Sequence, residues 1–114
     1  RIPLLFYSKK KEDYYLNKGR NINDVFEADW LSGCFLMIRK EALDQTGLLD
    51  EEFLKYFEDV DICNRMRAKG WKVLYNGATY YFHLEQRSSK KLFSKDAYLH
   101  LKSWWRWMRN KQII

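Results

Sequence analysis

The sequence predicts a mixed α/β fold with a short sheet, flanking helices and a long C-terminal amphipathic helix. Three runs have the length and apolar character of strands, and three segments carry helical periodicity or helix end signals. Their order is strand, helix, helix, strand, strand, helix, and 46% of the 114 residues are hydrophobic, which is enough for the core of one domain. Three strands are few for a complete sheet domain and the chain opens on Arg1, so we expect a part of a longer protein.

The first strand and the first helix are predicted after a polar stretch. Residues 1–7 indicate a residual strand, and residues 8–24 are rich in polar side chains and indicate a loop. Residues 34–38 are almost all apolar, which is typical of a strand covered on both faces. Residues 40–46 then predict a short helix, which Gly47 would end.

Residues 58–69 carry the clearest helix signals. Acidic residues crowd the beginning and basic residues the end, which is the order that the helix dipole favours, and Gly70 follows. The segment before this helix, residues 48–53, is predicted to be a turn that buries Leu49 and Phe53.

The last part of the chain predicts two strands and a helix. The strands, residues 71–75 and 79–83, flank an Asn76-Gly77 turn. Two roles stay open for the helix, packing on the sheet of the same chain and contact with a membrane interface. The helix spans residues 93–110, and its apolar stripe at spacings of three and four consists of Phe93, Ala97, Leu101, Trp104, Trp105 and Met108.

The charge of the chain is positive and unevenly distributed. The formal net charge is +6 with a pI near 9.3. A basic segment favours a phosphate-rich partner, which leaves nucleic acid, anionic lipid and a phosphorylated substrate open. No known nucleic-acid motif is present, so we expect no nucleic acid among the partners. From residue 88 onward the chain has one acidic residue, Asp96, and seven basic residues, which are Lys90, Lys91, Lys95, Lys102, Arg106, Arg109 and Lys111.

Cysteine usage and hydropathy indicate the compartment. Cys34 and Cys63 lie in apolar patterns without metal-ligand spacing, so we expect two free, buried thiols in a reducing environment. No run of about 18 apolar residues occurs, which argues against a transmembrane helix in the chain. We therefore expect a cytoplasmic location, with contact at the inner face of the membrane as an extension of it.

Two features of the sequence have the residue types of a reactive site. The acids Glu58, Asp59 and Asp61 crowd a helix N-terminus beside apolar residues, where a carboxylate could accept a proton from a hydroxyl. The alternative is that these acids only complement the helix dipole, with Asp61 pairing Arg65. The other feature is a histidine, His83, which ends an aromatic run and suits a structural role, a metal ligand or a base.

Several stretches between residues 26 and 89 form one long ordered pattern. They are residues 30–40 (WLSGCFLMIRK), 47–53 (GLLDEEF) and 56–65 (YFEDVDICNR), then Gly70-Trp71 and His83. This pattern resembles glycosyltransferase family 2, and its rhamnosyltransferase-like and galactofuranosyltransferase-like members most closely.

The resemblance implies the C-terminal half of a GT-A fold, an α/β sandwich that binds a nucleotide sugar. Residues 1–25 would be a loop and a residual strand at the truncation point. Residues 26–89 would bind the acceptor and supply the base, and residues 90–114 would form the basic amphipathic helix.

Six residues receive roles from the resemblance. Asp59 matches the catalytic base of the family, and His83 matches its metal-binding histidine. One departure from the pattern is Gln86, which stands where a glycine is common and changes the expected conformation of that loop. Trp30 suits core packing as well as sugar stacking. The positions that match substrate-binding residues are Trp30, Gly33, Glu58 and Ser88.

The resemblance also implies cofactors and partners. It implies an inverting transfer from a nucleotide-diphosphate sugar to a hydroxyl of a saccharide or lipid-linked acceptor, in the synthesis of a cell-surface polysaccharide. A divalent metal, Mn or Mg, would need ligands from the missing N-terminal half, so we expect the isolated chain to be inactive. A truncated sheet edge could pair with another copy, which predicts a homo-oligomer. The alternative function is a non-catalytic basic α/β module that binds anionic lipid or nucleic acid.

Overall fold

The computed structural model describes residues 19–84 and 94–111. The strand predicted over residues 1–7 and most of the loop predicted over residues 8–24 lie outside this part. The described part is mixed α/β, as predicted. Its elements in chain order are β1 (Val25–Glu27), α1 (Lys40–Thr46), α2 (Glu58–Ala68), β2 (Leu74–Asn76) and α3 (Lys95–Lys111).

The two strands form a small antiparallel sheet. Phe26 lies opposite Tyr75, and their rings stack with centroids 4.7 Å apart. Just beyond the strands, the amide of Ala28 donates to the carbonyl of Val73 at 2.9 Å. Aromatic cross-strand pairs stabilise two-stranded ribbons, which are marginal without such contacts.

The core lies where α1 and α2 meet the segment that leads into β2. It consists of small and medium-sized side chains, and Ile62 at its centre is fully buried. Trp30, Leu31, Leu36 and Ile38, on either side of a turn at residues 33–35, pack against this core as partly buried side chains. The buried members are Ala42, Ile62, Cys63, Met66 and Val73.

The helix α1 matches its predicted bounds, and α2 ends one residue short of them. Gly47 ends α1 with φ 80°, a left-handed conformation that costs glycine little, and its amide donates to the carbonyl of Leu43 at 2.7 Å. Gly70 follows α2 with φ 83°. Helix end signals therefore located both helices to within a residue.

Arg65 joins α2 to the end of α1. Its Nε donates to the carboxylate of Asp61 at 2.8 Å, and its terminal nitrogens donate to the carbonyls of Thr46 at 2.6 Å and Leu48 at 2.9 Å. These carbonyls belong to the helix end and the turn after it, where backbone acceptors lack helical partners. One planar guanidinium thus satisfies a buried carboxylate and two backbone groups.

The long helix α3 packs against residues 50–57 through a face that the sequence pattern did not predict. Ser103 is buried and donates from its hydroxyl to the carbonyl of Lys55 at 2.7 Å. Arg106 pairs with Asp50 at 3.0 Å. Internal packing, one of the two roles predicted for the stripe, is not observed for Leu101, Trp105 and Met108, which are exposed; Phe93 lies outside the described residues. Polar side chains of α3 bond to the turn, so the apolar side is left facing outward.

Two predicted strands are absent from the described part. Residues 33–35 form a turn and bend and residues 36–38 belong to no strand, and Phe35 and Met37 are exposed rather than buried on a second face. Residues 79–83 also lack a pairing strand, while β2 begins three residues later than predicted. A strand needs a neighbour that accepts its hydrogen bonds, and the described residues offer none at these positions.

Two burial predictions also need correction. Cys34 is exposed, although Cys63 is buried as predicted and both thiols are free. Leu49 is half exposed, whereas Phe53 is buried under the guanidinium of Arg106. None of the helices in residues 19–84 and 94–111 has the length and hydropathy needed to cross a membrane.

Replacing Arg65 by methionine should lower the free energy of unfolding by about 2–3 kcal/mol, because the buried carboxylate of Asp61 and two carbonyls lose their donor. Denaturant titration measures this change. Lys40→Met is the matched control, since Lys40 forms an i,i+4 pair with Asp44 on the surface and should cost at most about 0.5 kcal/mol. Equal losses in the two variants would contradict the role of Arg65.

Candidate functional site

The beginning of α2 follows a strained turn formed by Tyr56 and Phe57, the aromatic turn. Both residues have positive φ, 69° and 70°, which is rare for bulky side chains and costs on the order of 1–3 kcal/mol each. Such a conformation persists where the surroundings impose it. The turn immediately precedes Glu58 and Asp59, so its geometry sets where these two carboxylates lie.

The helix α3 holds the aromatic turn in place. The ring of His100 lies edge-on to those of Tyr56 and Phe57, with centroids 5.1 and 5.4 Å away, and Trp107 lies 5.8 Å from Phe57. On the neighbouring residue, the ammonium of Lys55 pairs with Asp96 of α3 at 2.7 Å. No sequence signal predicted this turn, because aromatic residues carry no preference for positive φ.

Asp59 is fixed by two backbone donors. The amide of Gly33 donates to Oδ2 at 2.9 Å, and the amide of Val60 donates to Oδ1 at 2.8 Å. A Cβ at position 33 would lie 3.4 Å from the Cβ of Asp59, which is van der Waals contact, so the loop passes directly beside this side chain. Each oxygen keeps a second lone pair, so the carboxylate is oriented and can still accept a proton. The structure thus brings together Gly33 and Asp59, which lie 26 residues apart.

Glu58 is half buried beside Asp59. Its Oε2 is buried and has no hydrogen-bond partner among residues 19–84 and 94–111, which is uncommon for a carboxylate. Burial raises the pKa of Glu58, and the negative charge of Asp59 raises it further, against the lowering effect of the residue's own backbone amide. The neutral form of this side chain is therefore favoured relative to an ordinary glutamate.

Asp61, the third acid of the cluster, has a structural role. It is buried and pairs with Arg65 inside the fold. The interpretation of the cluster as dipole complement and ion pair therefore holds for Asp61. Glu58 and Asp59 form no ion pair within the described residues, and the carboxylate of Asp59 faces the loop at Gly33.

Trp30 lies partly buried against the core, next to Leu31. Of the two roles predicted for Trp30, core packing is therefore observed, and it leaves the side chain partly exposed. Its neighbour Asp29 pairs with Arg67 of α2 at 3.0 Å. Segment 29–33 is thus tied to α2 at both ends, and its attachment brings the amide of Gly33 to Asp59.

His83 is exposed and does not contact Asp59. The ring of Tyr81 lies 4.9 Å from that of Phe35 and 6.5 Å from the imidazole of His83. Since Phe35 is two residues from Gly33, this segment passes beside the loop that binds Asp59. In the described ranges no three His, Cys, Asp or Glu side chains are grouped closely enough to hold a metal ion. Ser88 lies outside the described residues.

Comparison with known proteins identifies the family. The family model described as "Glycosyltransferase like family 2" matches residues 20–110. Rhamnosyltransferase WbbL of Escherichia coli (strain K12) is 30% identical over 86 residues, which cover 75% of this chain and 33% of that protein. No solved structure matches the chain significantly.

A mycobacterial protein gives a second match. The N-acetylglucosaminyl-diphospho-decaprenol L-rhamnosyltransferase of Mycobacterium tuberculosis (strain CDC 1551 / Oshkosh) is 32% identical over 88 residues, covering 68% of this chain and 29% of that protein. The chain spans about a third of the length of the curated relatives it matches.

Replacing Glu58 by glutamine should make stability less dependent on pH. The pKa of Glu58 is raised in the fold, so its protonated form contributes to the stability of the folded state. This contribution is present below pH 4.5, the ordinary pKa of glutamate, and is lost as the pH rises through the higher pKa of the folded state. As the pH increases above 4.5, the free energy of unfolding of the wild type should therefore fall relative to that of the variant. Denaturant titrations at several pH values measure this difference.

Glu51→Gln, which removes the same charge from an exposed position, is the matched control. A constant difference between Glu58→Gln and the wild type across the pH range would contradict the burial of this carboxyl group.

Proposed function

Because the chain belongs to glycosyltransferase-like family 2, we propose that the protein containing it transfers a sugar from a nucleotide-diphosphate donor to an acceptor hydroxyl, with inversion, during synthesis of a cell-surface polysaccharide. The observation that carries this proposal is the fixed carboxylate of Asp59, held by the amides of Gly33 and Val60 at the beginning of a helix. The assignment of the chain to the C-terminal, acceptor-binding half of the domain stays a prediction.

In the proposed reaction Asp59 is the catalytic base. The acceptor hydroxyl attacks the anomeric carbon while its proton passes to a carboxylate oxygen of Asp59, and the bond to the nucleoside diphosphate breaks on the opposite face. The two amide donors hold the carboxylate in one orientation, so little reorganisation is needed when the hydroxyl arrives. The aromatic turn, held by its contacts with α3, fixes the beginning of α2 and thereby the position of Asp59.

Four residues are proposed to bind substrate. Glu58 has a buried oxygen to which no described residue donates, and a hydroxyl of the acceptor would satisfy it. Gly33 would line the acceptor pocket beside Asp59, and Trp30, which is partly buried against the core, would line it next to Gly33. Ser88 is included in this proposal only because it matches the family pattern.

A divalent ion, Mn or Mg, is proposed as cofactor, but the described residues do not make its site. Since they contain no group of three suitable ligands, His83 would supply one ligand, and the others would come from the N-terminal half of the domain. When bound, the ion would offset the negative charge that the leaving diphosphate gains.

The relatives support the choice of substrates to test. Both are named as rhamnosyltransferases, and the mycobacterial name specifies a diphospho-decaprenol-linked sugar as acceptor. We therefore propose a lipid-linked acceptor, a cytoplasmic location and a peripheral contact with the membrane. A homo-oligomer remains a proposal too. The alternative function, a non-catalytic basic module, does not account for the carboxylate of Asp59, which the amide of Gly33 orients toward the loop.

Asp59→Asn in the full-length protein should keep donor binding and lower turnover by about 10²–10⁴-fold, because the amide cannot accept the proton. Single-turnover transfer with radiolabelled nucleotide sugar measures the loss, and donor titration measures binding. Asp44→Asn on the exposed side of α1 is the control and should transfer normally. Near-normal transfer by Asp59→Asn would exclude this residue as the base.

His83→Ala should weaken activation by divalent metal, because one ligand is lost from the proposed site. Activity measured against Mn and Mg concentration should show the half-saturating concentration rising by about 10–100-fold, a range typical of perturbed metal sites. An unchanged metal dependence would show that His83 is no ligand, whatever its effect on the maximal rate.

A further inference from the structure

The side of α3 that points away from the aromatic turn has an unusual composition. Four of its seven exposed residues are apolar and three are basic, and none is acidic. The apolar members are exposed by 65%, 51%, 62% and 40%, in the order Tyr98, Leu101, Trp105 and Met108. The outer face of α3 consists of these four residues with Lys95, Lys102 and Arg109.

The residues of the outer face are arranged in two adjoining stripes. Tyr98, Leu101, Trp105 and Met108 recur at intervals of three and four, so they lie along one line of the helix. Lys102 and Arg109, seven residues apart, lie along a line beside it. A helix on a protein surface in water ordinarily places its apolar line inward, and here the inward side is taken by His100, Ser103 and Trp107.

A shallow cavity opens at the basic edge of the outer face. Its volume is about 170 Å³, and Lys102, Arg106, Arg109 and Trp105 contribute to its lining together with Glu52. Arg106 is neutralised by Asp50 and Glu52. Lys102 and Arg109 have no acidic partner within the described residues, so the cavity retains positive charge that suits a phosphate group.

From this arrangement we propose that the outer face of α3 docks on an anionic phospholipid bilayer. The apolar line would enter the boundary between headgroups and acyl chains, with the indole of Trp105 at headgroup level. Lys102 and Arg109 would meet lipid phosphates at the basic edge, where each basic residue contributes on the order of 1 kcal/mol. Charge complementarity favours this occupant over a second copy of the chain, since two such basic faces would repel each other.

The acids near this face do not oppose the docking. Asp96 lies on the packed side of α3, where it pairs with Lys55. Asp50 and Glu52 share Arg106, which leaves one negative charge at the edge of the cavity. This charge is outweighed by the three positive charges of Lys95, Lys102 and Arg109, so a bilayer would meet a net positive face.

Vesicle co-sedimentation of the full-length protein tests the proposal. Vesicles of equal parts phosphatidylglycerol and phosphatidylcholine should bind the protein, and binding should weaken with salt and with pure phosphatidylcholine. The double substitution Leu101→Glu and Trp105→Glu should lower binding by more than about tenfold. Lys102→Ser and Arg109→Ser should each lower it about fivefold, which is 1 kcal/mol converted to a binding ratio.

Ile22→Glu is the matched control, because it also places an acid on an exposed apolar residue but lies beside β1. Equal binding by this variant and the wild type is expected. Binding that is absent from anionic vesicles, or lost equally in the control, would overturn the proposal. So would a double variant that binds vesicles normally but changes the oligomeric state in analytical ultracentrifugation, which would assign the face to a second copy.

Docking and catalysis are separable in this experiment. Asp59→Asn should bind vesicles as the wild type does, because Asp59 lies on α2 and not on the outer face. A failure of docking therefore leaves the assignment of the base intact, and a failure of the base leaves docking intact.

Discussion

The packing of α3 against the aromatic turn is the interaction on which the arrangement of this site depends. Two consecutive aromatic residues in left-handed conformations are unfavourable, and a free segment of this sequence would relax to negative φ. The rings of His100 and Trp107, with the hydrogen bond from Ser103 and the ion pair from Asp96, hold the turn as it is. A distant part of the sequence thereby determines where α2 begins.

The beginning of α2 in turn determines the environment of its acids. Asp59 emerges toward the loop at Gly33, Glu58 lies beside it with one buried oxygen, and Asp61 points inward to Arg65. Three carboxylates within four residues thus have three different environments. Helical geometry accounts for this, because successive residues point about 100° apart, and only the residue aligned with the loop meets its amide.

The sequence was most informative where short-range signals decide the structure. Gly47 and Gly70 ended their helices as predicted, since only glycine adopts the required conformation without strain. The strands over residues 34–38 and 79–83 were predicted wrongly, because apolar character cannot show whether a partner strand is present. In the candidate site, the family pattern singled out Asp59 and Gly33, and the structure shows them in contact. The aromatic turn could not be predicted, because it results from contacts across more than forty residues of sequence.

The two sides of α3 have different surroundings, so the helix separates the candidate site from an outer surface. One side contacts the turn that leads to Asp59, and the other faces outward with its apolar and basic lines. A helix with its side chains is about 10 Å thick and resists bending. Under the proposed docking, a surface that contacts the outer face of α3 would be kept at a constant height from the carboxylate of Asp59, and α3 would act as a spacer between the two.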